Sequence, residues 1–175
     1  MRKLLLLLPW LFSSIVQAAP PCGGEGLAVQ VLGSGDASLA GKRAGHGALI
    51  WIDGKARVLV NAGSGVALRF RESGAQWNDL DAIVFTRIDV AHSADLPALL
   101  QFANADGRNR ALPVYGPAGN KFAPATVTYV RDLFDPVRGM DALRQLATAL
   151  YGDKNPVDNL FSGKTHQIIE NGDGY

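Results

Sequence analysis

The stretch TRIDVAHSAD, Thr86 to Asp95, gathers one imidazole and two carboxylates into a short loop: Asp89, His92 and Asp95. These are donor types that hold a divalent metal. A catalytic zinc takes about three protein ligands of N, O or S type and keeps one position open for a water whose pKa it lowers. Asp89 offers a carboxylate and His92 a ring nitrogen, with Asp95 a third donor if the loop turns inward. Other residues of the same loop oppose that chemistry. Arg87 has no lone pair to give, because its guanidinium stays protonated. At about 4 Å and an effective dielectric of about 20, its charge repels a metal by on the order of 4 kcal/mol per unit of metal charge, close to a thousandfold in affinity. Ala91 contributes no donor. A metal-free arrangement uses the same side chains: Arg87 and Asp89, two residues apart, pair so that the guanidinium neutralises the carboxylate.

The elements that must position this loop are legible on either side. DLDAIVFT (Asp79 to Thr86) is a nearly continuous apolar run, expected to be a strand buried on both faces. A helix from about Ala94 to Asn104 follows. Upstream, LAVQVLGSG (Leu27 to Gly35) reads as a Val-rich strand ended by glycines. ALIWIDGKARVLVNAG holds two β-prone runs around Asp53-Gly54, whose second residue readily takes the positive φ of a hairpin turn. SGVALRFRESGA has helical spacing and a glycine stop. Downstream come a short strand in LPVYGP and helices around Thr126 to Phe134 and Gly139 to Tyr151. Strands and helices in mixed order imply an α/β domain with helices layered on a sheet.

Four segments, in order, resemble the metallo-β-lactamase superfamily, in the branch with ribonuclease Z-like and arylsulfatase-like hydrolases. VQVLGSGDAS is similar to the first strand and glycine loop, and GALIWIDGKARVLVNAGSG to the hairpin that ends in an Asp-x-Gly turn. DLDAIVFTRIDVAHSADLPALL is similar to the strand and loop that carry HxHxDH, and LPVYGP to the strand after it. The resemblance implies a metallo-β-lactamase-like αββα sandwich, of which this chain supplies mainly the N-terminal sheet half with its flanking helices. It implies zinc as cofactor and hydrolysis of a phosphoester, sulfate ester or ester. It also places the motif positions on Arg87, Asp89, Ala91 and His92, so that only His92 keeps its family type, and puts Asn61 where the hairpin Asp is usual. Asp89 and His92 are then the residual metal donors, with metal binding weak or absent and no catalytic residue assigned. The family's remaining ligands belong to a C-terminal half. HQIIENGDGY resembles the segment just before the next metal-binding strand, so the expectation is a truncated form.

The opening MRKLLLLLPWLFSSIVQA has two cations, an apolar run from Leu4 to Phe12 and small residues, the layout of a secretory signal cleaved after about Ala18. The expected organisation is residues 1–18 as signal peptide, 19–26 as a mobile segment, 27–151 as the half-domain and 152–175 as a tail containing one short strand, HQIIE. A secreted or periplasmic location follows. Of 17 Lys and Arg, Arg2 and Lys3 leave with the signal, so 15 face 16 acidic residues. Such a balance gives no pull towards nucleic acid or membrane lipid. The partner expected is a small-molecule substrate if the chain is active. With one sheet face unpaired, a protein partner or self-association is the alternative. Cys22, the single cysteine, allows no internal disulfide.

Other motifs are weaker. Gly33 and Gly35 give GxG, but Ser38 stands where a dinucleotide loop has its third glycine, so close backbone packing is the better reading. Ser34, Ser64 and Ser93 have no hydrolase constellation around them. His46 reads as a structural hydrogen-bonding residue, His166 as a solvated one, Trp51 and Trp77 as core or rim, and Arg69 and Arg71 as a solvated helix face. Three functions therefore stand: a residual metal-dependent hydrolase, a non-catalytic binding module, and an incomplete fold.

Overall fold

The computed structural model describes residues 24–36, 38, 41–135, 139, 140 and 143. The signal peptide, Cys22, the tail with HQIIE and His166, and nearly all of the expected helix at 139–151 lie outside the described residues. No helix among the described residues is long and apolar enough to cross a membrane.

Five strands form one sheet in sequence order: β1 (Leu27–Gly33), β2 (Gly47–Ile52), β3 (Lys55–Val60), β4 (Ala82–Val84) and β5 (Val114–Tyr115). The first three run antiparallel and the last two join in parallel. The β2–β3 turn works as the sequence suggests, with Asp53 and Gly54 both at positive φ (48° and 73°). Among the described residues, four helices accompany the parallel part: α1 (Val66–Glu72), α2 (Val90–Ser93), α3 (Leu96–Ala105) and α4 (Thr126–Phe134).

Alternation along the strands sorts the side chains between two sheet faces. Ala28 pairs with Trp51, Gln30 with Leu49, Leu49 with Leu59 and Leu59 with Ile83. Leu49, Trp51, Leu59 and Ile83 are all buried. They share one core with Val66 and Phe70 of α1, Leu96, Leu99 and Leu100 of α3, and Val130 and Phe134 of α4. Trp51 closes its polar end on Gln30, its Nε1 donating to Oε1 at 3.0 Å. Trp77 is also core, stacked on Phe70 with ring centroids 4.0 Å apart.

The opposite face is mostly apolar, with Lys55 paired to Ile52 at one end. Leu27 pairs with Ile52, Val29 with Ile50, Val31 with Ala48, Ile50 with Val58 and Val60 with Val84. Among the described residues no helix packs on that side, and Leu27, Val29 and Val31 are 74%, 64% and 67% exposed.

Two expectations need correction. The strand expected at Asp79–Thr86 is shorter: Trp77–Asp79 forms a 3₁₀ turn, and only Ala82–Val84 pairs as β4. Val84 is half-buried on the open side, so burial on both faces holds only for Ala82 and Ile83. The second concerns the loop after β4. It contains a helical turn of its own, α2, before α3 begins at Leu96. Arg69 and Arg71 do face solvent, paired with Glu72 and Asp106.

Candidate functional site

The C-terminal ends of β3 and β4 bring the site together. Asn61, just past β3, sits at φ 60°, a left-handed conformation that Asn tolerates better than most residues. Its amide N donates to Val84 O at 2.8 Å. Its side-chain Oδ1 accepts from Thr86 N at 2.9 Å and Thr86 Oγ1 at 3.1 Å. Asn61 is thereby a clamp between two parallel strands, a task a neutral amide oxygen performs without burying charge.

Beyond Asn61 three backbone segments interlock. His46 N donates to Ala91 O (3.1 Å), Gly63 N to His46 O (3.0 Å), Ala62 N to His92 O (2.6 Å) and Asp95 N to Ala62 O (2.8 Å). Chains this close leave no room for side chains: a Cβ on Gly63 would meet Ala91 O at 2.1 Å, and one on Gly33 would meet Gly45 O at 2.0 Å. The glycines near the GxG pair thus serve close backbone packing, as the sequence reading expected of Gly33 and Gly35.

Asp89 occupies the N-cap of α2. Its Oδ1 accepts from His92 N at 3.1 Å, a donor it shares with the Asp89 backbone carbonyl at 3.0 Å. The same oxygen lies 2.6 Å from His92 Nδ1, which must donate because a carboxylate only accepts. Asp89 Oδ2 takes Arg87 Nε at 2.6 Å. The pairing of Arg87 with Asp89 weighed from spacing therefore forms. Arg87 is well exposed, with 66% of its side chain accessible, whereas the His92 side chain retains 14%. The His92 ring stacks on His46, centroids 4.4 Å apart and planes 13° off parallel. His46 is thus a neighbour of the motif as well as a backbone anchor.

Burial works to raise the Asp89 pKa, but the His92 hydrogen bond and the charges of His92 and Arg87 outweigh it and hold the carboxyl below its usual 3.8. A carboxyl lowered on folding stabilises the folded state above its unfolded value and loses that contribution as pH falls through its folded one. The melting temperature should therefore drop below pH 3.8, and Asp89→Asn should flatten that acid limb in melts from about pH 2 to 6.

Asp95 turns away from the motif. Its Oδ2 accepts from Ala67 N in the first turn of α1 at 2.9 Å, where the N-cap Gly65 has no side chain to do so. A residue one loop away thereby caps α1. Asp95→Ala should cost about 1 kcal/mol, the usual worth of a cap, read from urea unfolding midpoints; Asp95→Asn should recover most of it. No change at all would mean that the α1 donor is satisfied otherwise.

A zinc ion fits these residues poorly. Both Asp89 oxygens and His92 Nδ1 are already engaged with one another, with the α2 backbone and with Arg87. Ala91 offers its carbonyl to His46 N. Asp95 is committed to α1. Among the described residues no three His, Cys, Asp or Glu side chains converge on a point.

One residue gave no sign of importance in the sequence. Arg108, 2% exposed, donates through its guanidinium to the carbonyls of Trp77, Leu80 (3.1 Å), Ala111 (3.0 Å) and Arg110 (3.0 Å). It staples the 3₁₀ turn before β4 to the loop before β5.

No protein-family model matches the chain, and no curated protein matches it. Among solved structures the chain is similar over part of its length to proteins of the metallo-β-lactamase fold. One is the metallo-β-lactamase fold protein YhfI from Bacillus subtilis, at 26% identity over 54% of this chain and 39% of that one, TM-score 0.46. The short form of human tRNase Z is 24% identical over 52% of this chain and 35% of its own, TM-score 0.46. A diphosphatase from the PhnP family is 20% identical over 62% and 46%, also with TM-score 0.46. The chain spans less than half the length of each of them.

Proposed function

We propose that this chain is an exported, hydrolase-like protein of the metallo-β-lactamase type in which the metal loop has become a structural cap, leaving a non-catalytic binding module. The observation that carries the reading is the engagement of Asp89: one oxygen caps α2 and holds His92 Nδ1, and the other holds Arg87. Coordination would have to break these contacts and place a dication beside a fixed guanidinium. That the chain supplies one half of a two-layered sandwich is supported by the mostly apolar sheet face on which no helix among the described residues packs. Export to the periplasm or beyond rests on the leader-like opening alone.

The rival reading is a residual metal-dependent hydrolase working through Asp89 and His92 on a phosphoester, sulfate ester or ester. Zinc content of the purified chain and turnover of a generic phosphodiester, an aryl sulfate and an aryl ester separate the two, each assayed with zinc or manganese and again after chelation. The proposal expects well under one zinc per chain and no chelator-sensitive turnover. About one tightly held zinc per chain together with turnover that EDTA abolishes would overturn it.

A further inference from the structure

The edge of the sheet that builds the site also gathers exposed cations. Because β1 and β3 both run antiparallel to β2, and β4 and β5 follow β3 in parallel, the C-terminal ends of β1, β3, β4 and β5 lie along one edge. The loop after β1 carries Lys42 and Arg43, the loop after β4 carries Arg87, and the loop after β5 carries Lys121, all four exposed. Apolar side chains stand among them. Val90, three residues after Arg87, is 64% exposed, and Phe122 is 86% exposed with the Lys121 ammonium 4.7 Å from its ring centre. Asn120 fixes that last loop, its Oδ1 accepting from Phe122 N at 2.8 Å and Ala123 N at 3.1 Å.

The carboxylates of this edge have other duties. Asp89 holds Arg87 and His92, Asp95 caps α1, and Asp36 accepts from Ser38 N and Oγ. Elsewhere arginines meet acids: Arg57 and Arg110 pair with Asp81, Arg69 with Glu72, Arg71 with Asp106 and Arg131 with Asp132. Among the described residues no such pair forms at Lys42, Arg43 or Lys121, nor at Lys55 on the hairpin turn of the opposite edge.

We infer that this rim rests on the surface of a bilayer containing anionic lipid. The near-neutral balance of the whole chain conceals an uneven distribution: with Arg87 neutralised by Asp89, the rim keeps three unpaired cations, Lys42, Arg43 and Lys121, against Asp36. Each cation close to an anionic membrane contributes roughly fivefold in binding. Phe122 and Val90 then enter the boundary between headgroups and acyl chains, where aromatic and aliphatic side chains beside basic ones are at home. Val90 favours a bilayer over single-stranded nucleic acid, since a base stacks on the ring of Phe122 but finds no π-face on a valine. The Asn120 clamp displays Phe122 in advance, which lowers the cost of ordering it on contact. Contact through the rim requires nothing of the Asp89 and His92 donors, so it stands apart from the fate of the metal loop.

Co-sedimentation of the purified chain with vesicles tests the inference. The chain should pellet with vesicles of phosphatidylcholine and phosphatidylglycerol, stay in solution with phosphatidylcholine alone, and be released by about 0.5 M salt. Lys121→Glu and Arg43→Glu should each weaken binding at least about fivefold, and Phe122→Ser at least about 10-fold. These three side chains lie on the surface, and an unchanged melting curve shows that each variant folds. Lys55→Glu, at the opposite edge, should leave binding as it was. Failure to pellet with anionic vesicles overturns the inference, as does equal pelleting with both lipids. So does a loss with Lys55→Glu as large as that with Lys121→Glu, which would mean general charge attraction and no defined rim. Release from the vesicles by single-stranded RNA, with Phe122→Ser weakening the RNA complex, would assign the rim to nucleic acid and overturn it too.

Discussion

Arg108→Met should lower the stability of the folded chain by about 3 kcal/mol, measured from urea unfolding. The argument starts from the carbonyls. Trp77 O, Ala111 O and Arg110 O would each lose the Arg108 donor, whereas Leu80 O keeps Arg110 Nη2. An orphaned buried acceptor costs about 1–3 kcal/mol. Against this stands a relief, since burial first and the neighbouring Arg110 second push the Arg108 pKa down to about 10, while Asp81 pulls it up. A base whose pKa falls on folding opposes folding while it is protonated, so this penalty is in force below pH about 10. The acceptors outnumber the single cation, and the loss dominates. Arg108→Lys keeps the charge but lacks the planar fork, so it should fall between the two. A change under about 0.5 kcal/mol for Arg108→Met would mean that the loop re-solvates freely, and the staple would be refuted.

Gly63→Ala should be more damaging still, at about 4 kcal/mol or failure to fold. The added methyl would sit 2.1 Å from Ala91 O and 2.7 Å from His46 N. Both contacts are backbone, so no side chain can swing aside. Relief would have to come from parting the segments around His46, Ala62 and His92, which also hold α2 in place. Gly74→Ala is an informative control: its φ of 76° is strained for alanine, yet a Cβ there meets nothing within 4 Å, so the expected cost is about 1 kcal/mol. Equal losses at both positions would show that conformation, not crowding, governs Gly63.

Much of the fold was legible because local chemistry and tertiary structure agree. Asp53-Gly54 marks a turn that needs positive φ, and the structure has it. The apolar spacing of TVTYVRDLF gave α4 its limits, Thr126–Phe134, because one side of that helix packs on the core through Val130 and Phe134. The strand at DLDAIVFT was overextended, since a continuous apolar run does not reveal that Trp77 and Leu80 reach the core from a 3₁₀ turn. At the site, the pairing of Arg87 with Asp89 followed from their spacing. The capping by Asp89 did not, because the residue was weighed as a ligand and the helical turn it starts has only four residues. Arg108 was invisible for a different reason: an arginine in a polar loop reads as solvated, and two of the four carbonyls around it, those of Trp77 and Leu80, come from a segment distant in sequence.

The order of strands has a consequence for assembly. The antiparallel half, β1 to β3, joins neighbours in sequence, and β2 and β3 are linked by only two residues. β4 and β5 dock in parallel only after intervening helices have been crossed over, each with a larger entropy of closure. A nascent chain can therefore complete its meander while the rest is still unformed, and the segment bearing Asp89 and His92 is laid onto a platform that already exists. The face of that platform carrying Leu49, Trp51 and Leu59 is covered only once α1 and α3 pack on it.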